Sequence, residues 1–65
     1  MLWWTHRRAA RDLEARRTRI RARIECLELE RCELLADDRI PARKRRLDAV
    51  TGARDDLLAE LGALE

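Results

Sequence analysis

His6, Cys26 and Cys32 are the side chains of this sequence best suited to chemistry, because an imidazole and two thiols can ligate a metal and a thiol can act as a nucleophile. Their spacing argues against both uses. Cys26 and Cys32 stand six positions apart, about 240° around a helix axis. That is too far for a disulfide within one helix, and no close Cys pair of the zinc-knuckle kind is present. His6 lies far along the chain from either thiol and has no second group placed to work with it as acid or base. The adjacent carboxylates Asp37–Asp38 and Asp55–Asp56 fall on turn or helix surfaces, where nothing suggests a concave pocket. The chain has no Ser and no glycine-rich phosphate loop. The expectation is a non-enzymatic protein with no catalytic residue, no metal, no cofactor and no small-molecule substrate. Cys26 then serves as small apolar filler or as a partner contact.

The elements that carry these residues follow from composition and period. Charged residues make up 43 % of the 65 and hydrophobic residues 46 %, with no Phe or Tyr, two Gly and one Pro. Such a mixture favours long helices over sheets. Heptad counting with Trp3, Ala10, Arg17, Ile24 and Arg31 at a puts His6, Leu13, Ile20, Leu27 and Leu34 at d. Four large aliphatic residues in succession at d make a sustained seam, although Arg17 and Arg31 interrupt it at a. A first helix is expected over about 5–36 and a turn over about 37–40. A second helix is expected over about 41–62, with Pro41 in its first turn. In that helix Leu47, Arg54 and Leu61 occupy a, and Val50, Leu57 and Leu64 occupy d. A short connection makes the two antiparallel neighbours. The fold class expected is all-α: an antiparallel two-helix hairpin, coiled-coil-like, with helix 1 longer than helix 2.

Charge runs in blocks along this hairpin. Residues 7–23 hold eight Arg against Asp12 and Glu14, and residues 25–38 hold six acids against Arg31. Residues 39–46 hold five bases and no acid, and residues 47–65 hold five acids against Arg54. Folding at the turn sets the Arg-rich start beside Asp55, Asp56 and Glu60. It sets the Glu-rich middle beside Arg43, Lys44, Arg45 and Arg46. A parallel, in-register pairing of two first helices would instead stack like charge on like charge.

Antiparallel pairing also leaves an N-terminal overhang of about residues 1–10. Leu2, Trp3, Trp4 and His6 lie there, and the two Trp are the entire aromatic content of the chain. Aromatic residues beyond the reach of helix 2 are candidate anchors for another subunit. A second candidate surface is the c/f side of helix 1, away from the seam, with Ala15, Ala22, Cys26, Leu29 and Ala36. A protein partner or homo-oligomer is therefore expected.

Nucleic acid is the alternative partner, through Arg7, Arg8 and Arg11 of the first basic run and Arg43, Lys44, Arg45 and Arg46 of the second. The second run sits where cations oppose the macrodipole of helix 2, a locally unfavourable placement that a phosphate would relieve, although Glu33, Asp37 and Asp38 lie close by in the hairpin and can neutralise it. The net charge of only +2 argues for weak, sequence-independent contact. A peripheral membrane role, where Trp and Arg also combine, ranks last. No apolar run is long enough to span a bilayer and no secretory signal stands at the N-terminus. A cytoplasmic protein, or one inside an intracellularly assembled particle, is expected.

Overall fold

The computed structural model describes the backbone of residues 2–65 and the side chains of residues 7–65. Two helices, α1 (Leu2–Ala36, 35 residues) and α2 (Arg43–Leu64, 22 residues), pack against one another as a hairpin. There is no strand among the described residues. The molecule is a rod of 59 × 15 × 13 Å.

The seam is the one the heptad period predicts. Ile20, Leu27 and Leu34 of α1 and Val50 of α2 are buried. Leu27, Leu34 and Val50 form a cluster, with Ile40, Leu47 and Leu57 packed around it. Leu13, Ile24, Leu61 and Leu64 are half-buried at the remaining a and d sites. Among the described residues only Ile20, Leu27, Leu34 and Val50 are buried, so the two-helix ribbon buries one thin stripe and little else.

Of the three seam arginines, Arg17 and Arg54 hold partners at the edge of the interface. Arg17 donates to Glu14 at 2.9 Å and to the Leu64 carbonyl. Arg54 donates to Glu28 across the interface at 2.8 Å and to the neighbouring Asp55 at 2.9 Å. Its pKa is raised, first by the hydrogen bond to Glu28 and then by that to Asp55. Arg31 forms no ion pair, and its Nε is buried without a hydrogen-bond partner, as is that of Arg17.

The connection differs from the expected one. Pro41 lies in the turn, and α2 begins two residues later, at Arg43. The reason is Ala42, whose φ of 54° and ψ of 32° are left-handed. A residue there cannot belong to a right-handed helix, so it serves as the N-cap, accepting the Arg46 amide at its carbonyl at 2.9 Å. It is the single non-glycine residue with positive φ among those described. At the start of the turn the Asp37 carboxylate accepts the Arg39 amide at 3.0 Å, the local side-chain-to-backbone bond that makes Asp a turn residue.

Candidate functional surface

Arg43 stands one heptad before Val50, at a d position. From there its side chain reaches the end of the other helix, where Nε donates to the Leu34 carbonyl and an Nη donates to the Leu35 carbonyl at 3.3 Å. The last carbonyls of a helix have no intrahelical donor, and a cation near them also meets the negative end of the macrodipole. Arg43 therefore closes the turn by capping α1. The basic run lies at the unfavourable end of α2 and simultaneously at the favourable end of α1, so its placement needs no phosphate to relieve it. Lys44, Arg45 and Arg46 are exposed and form no ion pair with any described residue.

Charge complementarity between the helices is realised mainly in one half of the hairpin, the other half contributing the Glu28–Arg54 pair. Arg16 meets Glu60 at 2.9 Å and Arg21 meets Glu65 at 2.8 Å, so the Arg-rich part of α1 lies along the acidic end of α2. Asp55 instead pairs with Arg54 beside it, and among the described residues Asp56 forms no ion pair. In the other half the expected pairing of the Glu-rich middle with Arg43–Arg46 does not occur. Glu25 and Glu33 are exposed at b and c, on the side of α1 away from the seam, and Glu30 is half-buried at g, beside the seam. Among the described residues none of the three forms an ion pair, and the same is true of Arg8, Arg11, Arg19 and Arg23. The outward side of α1 thus carries uncompensated positive charge before residue 24 and uncompensated negative charge after it.

Between these charges lies the small apolar face. Ala15, Ala22, Cys26, Leu29 and Ala36 are all exposed. Leu29 is 67 % exposed, the most open of the large apolar side chains described, while Leu27, two positions earlier, is 3 % exposed. The contrast is the 3.6-residue period at work: a shift of two residues turns a side chain by about 200°. Leu35 and Leu58 are also exposed, at the side of the seam. Both cysteines are free and exposed. Arg7, Arg8 and Arg11 are exposed on the first turns of α1 described in full. Leu2, Trp3, Trp4 and His6 fall outside the residues whose side chains are described.

No helix among the described residues is long and apolar enough to cross a membrane. No protein-family model, curated protein or solved structure matches the chain.

Proposed function

We propose that the protein is a non-enzymatic interaction or structural subunit. It docks into a larger assembly through its N-terminal Trp pair and the outward face of α1, and its helices join their partners in the manner of a coiled coil. The observation that carries this reading is the outward face itself. Leu29 is left open to solvent between two sets of charges that the hairpin does not neutralise. A single exposed Leu is ordinary. An exposed Leu in line with Ala15, Ala22, Cys26 and Ala36, flanked by segregated charge, is the composition of a helix that packs on another helix. The thin core points the same way, since a two-helix ribbon of 65 residues sits near the size at which association supplies part of the stability. The cytoplasm, or a particle assembled inside the cell, is the compartment this reading assigns, consistent with two free thiols.

The test is the mass of the chain purified under native conditions with whatever accompanies it. An assembly heavier than the 7.7 kDa chain is expected. A chain that remains a lone monomer at every concentration, with nothing bound, refutes the reading.

Contact with nucleic acid is favoured by one observation: Lys44, Arg45 and Arg46 are exposed and unpaired. Binding carried by these three cations is weak and sequence-independent, and falls by about one to three powers of the salt concentration. A tight complex that discriminates between sequences at physiological salt would put this reading first.

A further inference from the structure

We infer that the occupant of the outward α1 face is a second copy of the same chain, laid antiparallel across it about a two-fold axis at Cys26. This rests on the reading of the protein as an assembly subunit and names the partner at that surface.

The argument is one of register. An antiparallel partner presents its own acidic half to the basic half of the first copy. With the two-fold axis at Cys26, Arg19 faces Glu33 of the second copy and Arg23 comes within one residue of its Glu30. The symmetry repeats both pairs. All four residues are free of ion pairs within the hairpin, so their association needs no internal bond to break. The same register brings the exposed Leu29 within one residue of Ala22, a large side chain against a small one, and Ala15 within one residue of Ala36. Close packing of two helices requires just such interlocking of large and small residues. The overlap runs from residue 15 to residue 36, about 33 Å at the rise of an α-helix.

Other occupants fit less well. A parallel copy in register sets Arg19 on Arg19 and Glu33 on Glu33, and like charges in juxtaposition exclude that mode. A staggered parallel copy matches the charges but leaves unmatched ends that recruit further copies without closing. A nucleic acid matches Arg19 and Arg23 and is repelled by Glu25, Glu30 and Glu33. A foreign helix would have to carry the same division of charge that this helix already holds. The two-fold arrangement closes at two chains, with α1 of each copy at the centre and α2 on the outside.

Three forms of the full chain test this by sedimentation: the natural sequence, Arg19→Glu with Arg23→Glu, and Glu30→Arg with Glu33→Arg. The natural chain is expected to form a dimer at micromolar concentration. Each double variant alone should dimerise at least ~10-fold more weakly, because every cross-pair becomes like on like. Their helix content by circular dichroism should stay at the natural level, since none of the four residues has a partner within the hairpin. An equimolar mixture of the two variants should regain the natural affinity, as each reversed pair is then matched again.

Thiol cross-linking reads the register. Diamide, which takes up the two electrons and two protons released by a pair of thiols, should join two copies of a Cys32→Ser chain through Cys26. It should not join two copies of a Cys26→Ser chain. A natural chain that stays monomeric, or variants that dimerise as well alone as mixed, would overturn the proposal, as would cross-linking through Cys32 alone. A monomeric chain that nevertheless purifies within a heavier complex of other polypeptides overturns only this inference and leaves the subunit reading in place.

Discussion

Leu27→Ala and Leu29→Ala, two residues apart on one helix, should behave as opposites. Leu27 is 3 % exposed and packs with Leu34 and Val50. Truncating a buried Leu in such a cluster costs about 2–5 kcal/mol, and the partly buried ring of Ile40, Leu47 and Leu57 places this site near the middle, at about 3 kcal/mol. A chain of this length holds roughly 3–10 kcal/mol at ordinary stability per residue, so the substitution removes a third of it or all of it. Leu29 is 67 % exposed, and an exposed truncation changes the hairpin's own stability by less than about 0.5 kcal/mol.

The assay is thermal and urea unfolding followed by circular dichroism over a dilution series. Leu27→Ala should lower the midpoint at every concentration. Leu29→Ala should lower it only where the natural chain is associated, and its effect should vanish on dilution. If Leu29→Ala unfolds the dilute chain while Leu27→Ala is silent, the helix is rotated from the orientation described. The assignment of seam and outward face would then fail together.

The remaining expectations concern single features. Gly52 is exposed in α2, has no positive φ, and leaves open space where a Cβ would stand, so Gly52→Ala should raise stability by about 0.5–1 kcal/mol in urea titrations. Arg31→Leu should raise the melting temperature through a gain of about 1 kcal/mol, because the natural side chain buries an unpartnered Nε in the seam; a loss would show that its guanidinium meets a partner outside the chain. Trp3→Ala with Trp4→Ala should weaken assembly by about 2 kcal/mol or more of binding while circular dichroism remains helical. Unfolding in that variant would place the Trp pair in the hairpin's own core.

The seam was legible because a period of seven needs only the positions of Leu, Ile and Val. Ile20, Leu27, Leu34 and Val50 are buried where that counting puts them. The turn was less legible. Ile-Pro-Ala announces a break, but nothing in an Ala announces a left-handed backbone, a conformation that Gly or Asn would have signalled. The role of Arg43 was hidden for a different reason. Judged along the chain, a cation opens α2 against its dipole; judged in space, the same cation ends α1 in favour of the other dipole, and only the fold brings those carbonyls within reach. The blocks of charge were read as facing each other throughout. Block counts ignore helical phase, and Glu25 and Glu33 have the phase of the outward side. The candidate face with Ala22, Cys26 and Leu29 was visible as a stripe, whereas its division into two unneutralised halves required knowing which ion pairs the hairpin leaves unmade.

Pro41 has a bearing on more than the turn. Two helices joined by a few residues always have a competitor, in which the connection itself becomes helical and the chain straightens into one uninterrupted rod. In that form α2 of one molecule can take the place of α2 in another, and the pair exchanges halves. Proline in a helix interior costs about 3 kcal/mol, and Pro41 sits within the segment that would have to straighten. Left-handed Ala42 carries about 1–2 kcal/mol in the opposite sense, a strain that straightening would release. The difference keeps the bent form ahead. The ring of one residue thereby decides that each chain covers its own seam, and it frees the outer side of α1 for whatever the molecule recruits there.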